Sequence, residues 1–245
     1  MTGFFCDFHI HSTLSPCASL EMSPQNVIKK AKEAGLDIIA ITDHNMVENT
    51  IYVHELGKKL GLVVLFGMEI QTREEIHLLV LFDNYKVALD FQREIYEFLP
   101  AVKNNPVYFG DQVVVDENGN IVRFEERLLL NSVQISLEDA VSRVKLKEGL
   151  VIPSHIDSQT FSIISQLGYV PDNLSFDALE VRNKQKIEEL LPFVNPKGIP
   201  FVTFSDAHYL IDIGKRRTVF YLKEPSFKEI AKALKFEEGR YPEFQ

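Results

Sequence analysis

The hexapeptide Asp7–Ser12, DFHIHS, sets two histidines one residue apart in a run with strand character. Side chains two positions apart on a strand share a face and stand about 7 Å from one another. His9 and His11 therefore converge from one rigid element, while Phe8 and Ile10 take the other face. Two imidazoles so placed are half of a metal clamp; the plain alternative is a pair of unrelated polar residues at a strand end. The other histidines decide between these readings. His44, His155 and His208 also fall at or near the C-terminal ends of strand-like runs, and His77 opens a run that reads in the opposite direction, which is the same end in space. Only His54, of seven histidines, lies inside a helical pattern, and it receives no role. Glu69 closes the third strand, and Asp206 and His208 in SDAH repeat the one-apart spacing. Neutral imidazoles and carboxylates together suit Zn²⁺, Mn²⁺ or Fe²⁺. This set exceeds what one ion needs, so two or three divalent transition-metal ions are expected, with Glu69 as a bridge. Burying so many imidazoles for structure alone would be costly.

The elements that must carry these residues alternate. FFCDFHIH reads as a strand, and Ser23-Pro24 starts a helix that stops at Gly35. LDIIAITDH is apolar nearly throughout, as a parallel strand covered on both faces would be. A helix ending at Gly61 and the strand LVVLFGMEI follow, which gives two right-handed strand–helix–strand units. Only QTREE then separates LVVLFGMEI from IHLLVLF, too short for a parallel crossover, so an antiparallel pair is expected. A turn centred on Arg73 would set Glu69 directly opposite His77. A helix over Val87–Leu99 comes next. QVVVDENGNIVRF has the form of a hairpin with an Asn118-Gly119 turn; it interrupts the rhythm, so Asn104–Ser132 reads as an insertion that narrows access to the mouth. A helix capped by Ser136, with Glu138 and Asp139 in its first turn, resumes the pattern. LVIPSHID, DALEVRN and PFVTFSDAH are three more strands, RRTVFYL a last one, and SFKEIAKALKF a closing helix. One domain over residues 1–245 is expected.

Composition narrows the partners. The net charge of −9 argues against wrapping long nucleic acid, although local cations would still let a small anion in. With only Cys6 and Cys17 there is no disulfide framework. No apolar run of 18 residues or more and no signal-like start are present, so a cytoplasmic chain without membrane contact is expected.

In order, H-x-H, TDHN, GMEI, a lone His, PSHID and SDAH resemble the PHP (polymerase and histidinol phosphatase) superfamily, from about Asp7 to His208. The resemblance implies an α/β fold, a distorted seven-stranded (β/α) TIM-like barrel of the PHP type, here with a β-hairpin insertion. It also implies a trinuclear centre that hydrolyses phosphoesters. Carried over by position, His9, His11, Glu69 and Asp206 would hold one ion, Glu69, His77 and His155 a second, and His44 and His208 a third. Where the family commonly offers His or Asp to that third ion, this chain has Cys17, a good ligand for zinc or iron. Glu69, Asp206 and His208 are the candidate catalytic groups. Strand phase makes Asp7 a candidate acceptor for a ligating imidazole and lets Asp43 act from behind. Arg182, at the end of DALEV, suits a substrate phosphate, and Lys215–Arg217 reads as a solvated turn. The expected substrate is a small phosphorylated metabolite or nucleotide. The alternatives are a nuclease or proofreading phosphodiesterase, for which a basic aromatic groove is missing, and an amidohydrolase, whose ligand order differs.

Overall fold

The computed structural model describes residues 1–194 and 198–244. The first strand, β1 (Thr2–Ile10), leads into α1 (Pro24–Glu33), whose chain leaves through Gly35 at φ +70°. β2 (Ile38–Ile41), α2 (Thr50–Leu60) and β3 (Val63–Gln71) follow, with Gly61 in the left-handed conformation that ends α2. β1, β2 and β3 pair in parallel, as two crossover helices require. β4 (His77–Phe82) pairs antiparallel with β3.

The register of that pair corrects the expectation. His77 lies opposite Gln71, and Glu69 opposite Leu79, because the turn runs from Thr72 to Ile76 and centres on Glu74 rather than Arg73. A displacement of two residues leaves every side chain on its original face. His77 therefore still reaches Glu69 from the same side of the sheet. The next helix, α3 (Tyr85–Tyr96), starts earlier than expected, because the Asn84 side chain accepts the Val87 N–H and caps it.

The insertion contains α4 (Pro106–Phe109) and the hairpin β5 (Val113–Val115) and β6 (Ile121–Phe124). All three valines of β5 are buried, not one face alone. The hairpin sits on the loop that follows β1: Val113 N–H donates to the Thr13 carbonyl, and Asn49 bridges Val113 and Val115 to Ser12. Ser136 caps α5 (Leu137–Leu146) as expected, and β7 (Leu150–Pro153) pairs antiparallel with β4.

After α6 (Ile163–Leu167), β8 (Leu179–Glu180), α7 (Ile187–Leu190) and β9 (Phe201–Val202), the chain adds β10 (Thr218–Leu222), α8 (Phe227–Leu234) and β11 (Tyr241–Phe244). The main sheet is curled and mixed, with seven strands in the order β11-β10-β1-β2-β3-β4-β7. β8 and β9 form a separate short parallel pair. Asp177 N–H to the Val151 carbonyl and Ile156 N–H to the Glu180 carbonyl tie this pair to β7. On its other side, Ala207 N–H donates to the His9 carbonyl and His11 N–H to the Ala207 carbonyl, which ties it to β1. No helix among the described residues is long and apolar enough to cross a membrane.

Candidate metal centre

The six imidazoles and two carboxylates singled out by the sequence meet at one end of the sheet. Glu69, 1% exposed, stands at their centre. Its Oε1 lies 3.2 Å from His9 Nε2, 3.1 Å from His77 Nδ1 and 3.5 Å from His155 Nε2. Its Oε2 lies 3.3 Å from His44 Nδ1 and 3.5 Å from His11 Nε2. Asp206 Oδ1 faces His9 Nε2 at 3.3 Å and His11 Nε2 at 3.6 Å, and His208 stacks on His11 with centroids 4.2 Å apart. The backbone is bent to bring them there: His155 at φ +30° and Asp206 at φ +53° are left-handed without being glycine. Such residues are strained and persist only where their surroundings hold them.

The outer nitrogens of His9, His11, His77 and His208 are bonded, and the bond fixes which nitrogen faces inward, whereas His155 Nδ1 has no partner among the described residues. Glu180, fully buried, meets His9 Nδ1 at 3.0 Å; a carboxylate only accepts, so Nδ1 carries a proton and Nε2 is the nitrogen aimed inward. Ser15 Oγ–H donates to Asp43 Oδ1, so the same oxygen accepts from His11 Nδ1–H at 3.0 Å and from the His44 backbone N–H. Gln71 Oε1 accepts from His77 Nε2–H at 3.0 Å, and the Asp206 carbonyl from His208 Nδ1–H. What remains are buried atoms without a hydrogen-bond partner: His9 Nε2, His11 Nε2, His44 Nδ1, His77 Nδ1 and Glu69 Oε1. They stand close to one another yet are not aligned as donor and acceptor, which is the geometry of atoms aimed at a common third body. Three groups each keep their ligand atoms within 4.8 Å: His9, His11 and Asp206; His44, Glu69 and His77; His11, His44 and His208. Nitrogen and oxygen donors in this ratio fit divalent zinc, manganese or iron, and the outer bonds are of the kind that orient ligating histidines.

Burial first, then His208, pulls His11 from 6.5 down to about 4. Burial and His11 likewise hold His44 well below its ordinary value. For Glu69, burial opposes ionisation, but His77 and His9 outweigh it and keep the carboxyl well below the usual range. His11 gives a pH test on the metal-free chain. Its folded value lies below its unfolded one, so its contribution is present above about 6.5 and is lost as the pH falls toward about 4. At about 1.36 kcal/mol per pKa unit the difference is worth about 3 kcal/mol. The stability advantage of the wild type over His11→Asn, read by urea unfolding, should shrink by about that amount between pH 7 and pH 4. A constant difference would mean that His11 does not titrate in this way.

Asp7, Asp43 and Cys17 contribute no atom to the three groups. Asp7 does not touch the His9 ring: its carboxylate accepts the Ser205 and Gly214 N–H groups, and burial pushes it up to about 6. It orders the loop that carries Asp206, and Glu180 takes the imidazole instead. Asp43 does act from behind, through Ser12 and Ser15. Cys17 joins none of the three groups. Although the residue is exposed, desolvation and then Glu69, Asp43 and Asp206 push its thiol up to about 12. Arg182 is exposed at the end of β8, with its backbone N–H on Asp157 and no ion pair of its guanidinium among the described residues. Arg216 is not merely a solvated turn residue, since its guanidinium donates to the Phe204 and Ser205 carbonyls. His54 bonds the Val64 carbonyl, away from the centre.

Glu180, Ser15 and Gln71 were not singled out from the sequence. A carboxylate inside the apolar run DALEV is itself a sign of a buried partner, and Gln71 shares the Glu69 face two residues on. Ser15 carries no such sign.

An uncharacterized protein of Methanocaldococcus jannaschii is 36% identical over 77 residues, 28% of this chain and 44% of that protein. The phosphoribosyl 1,2-cyclic phosphate 1,2-diphosphodiesterase of Eggerthella lenta is 29% identical over 80 residues, 31% of this chain and 29% of that enzyme. The chain thus spans less than half the length of these curated relatives. Among solved structures, the lesion-specific endonuclease EndoQ of Pyrococcus furiosus shares the fold, with TM-score 0.74, 18% identity, and coverage of 98% of this chain and 58% of that one. Endonuclease Q with a 27-mer duplex substrate, an abasic lesion at its active site, gives TM-score 0.71 and 18% identity over the same shares. A family pattern described as PHP-associated matches residues 192–238. The pattern described as PHP domain matches residues 7–142, more than half of the sequence, and the chain belongs to the PHP domain family.

Proposed function

We propose that this chain is a metal-dependent phosphoesterase that hydrolyses a small phosphorylated molecule. The carrying observation is the set of buried ring nitrogens and the Glu69 oxygen that face one another without hydrogen bonds. His9, His11, Glu69 and Asp206 would hold one ion, His77 and His155 with Glu69 a second, and His44 and His208 a third. Ions held there would supply charge for the phosphoryl oxygens and bring the pKa of water toward neutrality. The protein supplies the rest. Glu69 sets negative charge at the middle of five rings, and bonds at the outer nitrogens of His9, His11 and His77 fix three of them. Asp206 and His208 form the more open side, with side chains 18% and 26% exposed, and are the groups we place beside substrate. Arg182 offers a free planar fork to a phosphate at the rim.

The small substrate is favoured by the net charge of −9, and we read the insertion, which bonds to the loop after β1 and to Gln71, as narrowing the mouth. A second reading, a nuclease, draws on the shared fold with Endonuclease Q over 98% of the chain. We read β1, β2, β3, β4, β7, β8 and β9 as the seven strands of a PHP-type barrel, joined by the bonds at Val151–Asp177 and His9–Ala207, and the whole as one domain. Both cysteines are free, which fits a reducing cytoplasm.

Protein purified without chelator should carry at least two transition-metal ions per chain by elemental analysis. Chelation should abolish hydrolysis, and Mn²⁺ or Zn²⁺ should restore it. A panel of phosphomonoesters, dinucleotides, single-stranded and abasic duplex DNA and an N-acyl amino acid then separates the readings. A chain that neither holds nor takes up ions overturns the proposal, and turnover confined to DNA replaces it with the nuclease.

A further inference from the structure

The insertion ends on the metal centre. Ser132 Oγ accepts the Gln71 side-chain N–H at 2.8 Å, and Gln71 Oε1 in turn accepts from His77 Nε2–H at 3.0 Å. The surrounding bonds leave this chain of contacts little freedom. Gln71 is 7% exposed; its backbone N–H donates to Asn45 Oδ1, and its carbonyl accepts the Val133 N–H. Asn45 donates to the Leu129 and Asn131 carbonyls, so both Gln71 and its neighbour are held by the last residues of the insertion. The His77 ring is clamped flat against Phe161, with centroids 4.8 Å apart and an interplanar angle of 11°. Stacking holds one face of the ring, and the partners at its two nitrogens, Gln71 Oε1 at Nε2 and Glu69 Oε1 3.1 Å from Nδ1, decide which nitrogen carries the proton.

We infer that Ser132 and Gln71 are positioning residues that keep the His77 proton on Nε2, and so keep Nδ1 bare toward Glu69. This rests on the proposal that the centre holds metal ions. A glutamine amide can present either end to a ring nitrogen. With its oxygen on Nε2, Nδ1 has a free lone pair 3.1 Å from Glu69 Oε1. With its nitrogen there, Nε2 must accept, and the proton moves to Nδ1, where Glu69 takes it and the ligand atom is masked. Ser132 is the one group bonded to the Gln71 side-chain nitrogen among the described residues. Removing its hydroxyl leaves that nitrogen without a partner and lets the amide turn, with the Glu69 carboxylate drawing the proton to Nδ1. A segment that interrupts the barrel rhythm thereby supports a ligand of the centre.

The test uses Ser132→Ala and the double variant Ser132→Ala with Gln71→Glu, because a carboxylate has no N–H to turn toward the ring. In metal-free, ¹⁵N-histidine-labelled protein, long-range proton–nitrogen spectra should place the His77 proton on Nε2 in the wild type and the double variant, and on Nδ1 in Ser132→Ala. Titration with Mn²⁺ should show at least one ion bound about tenfold more weakly by Ser132→Ala, the lower end of what such outer partners contribute, and recovery in the double variant. Thermal midpoints should stay together, which separates positioning from folding. A wild-type His77 protonated on Nδ1, or a Ser132→Ala chain with unchanged spectrum and affinity, overturns the inference. A wild type that takes up no ion refutes the metal proposal instead, and the spectra still decide the role of Ser132.

Discussion

Glu69→Gln is expected to lower turnover about 10³-fold, on the scale of several kcal/mol for charge stabilisation at a metal site, and to remove at least one bound ion per chain. The reason is the number of rings one carboxylate serves. Oε1 is within 3.5 Å of His9, His77 and His155, and Oε2 within 3.5 Å of His44 and His11. Glutamine keeps the shape but replaces one oxygen by an NH₂ group, which has no lone pair to offer. That group would also donate to a bare ring nitrogen and mask a second ligand atom. Arg182→Ala is the comparison: its side chain is exposed and bonded to nothing described, so its loss should touch KM more than ion content and cost less than tenfold in turnover, as one exposed contact does. Elemental analysis and steady-state kinetics on both variants decide it. An equal loss in the two, with ions intact in Glu69→Gln, would make Glu69 peripheral.

The candidate metal centre was legible because metal-binding chemistry would force rare residue types onto the ends of strands. Histidine at positions 9, 11, 44, 77, 155 and 208 stands out against apolar runs whose period already marks them as sheet. The register between β3 and β4 was not legible, since nothing in QTREE says whether Arg73 or Glu74 tops the turn; the site survived because two residues is a full strand period. β11 was missed for a similar reason: YPEF is four residues long, contains a proline, and pairs with β10 only at the sheet edge. The residues behind the ligands were the hardest to see. Ser15 earns its place by the direction of one hydroxyl, and the role expected of Asp7 fell to Glu180, 171 residues from His9 along the chain. Strand phase says which face a side chain takes but not which loop folds over it.

Glu180 carries the second large prediction. It is fully buried, both of its oxygens lie within 3.1 Å of His9 Nδ1, and Oε2 also accepts the backbone N–H of His155 at 2.9 Å. One carboxylate thus sets the tautomer of one ring and holds the strained φ +30° turn that aims another. Glu180→Gln keeps the volume and one acceptor oxygen, so the fold should survive. It must, however, leave either His9 or His155 facing an N–H, and affinity for the ions should fall about 10- to 100-fold, the usual effect of such outer partners. Glu180→Ala should go further, because it leaves two buried donors unpaired at about 1–3 kcal/mol each. In a chain of this size about 1 kcal/mol shifts the melting temperature by about 2–4 °C, so a drop of several degrees is expected. Ion titration and calorimetry on both variants give the answer. If Glu180→Gln binds ions as the wild type does and Glu180→Ala melts at the same temperature, His9 and His155 are held by their own strands and the carboxylate between them is incidental.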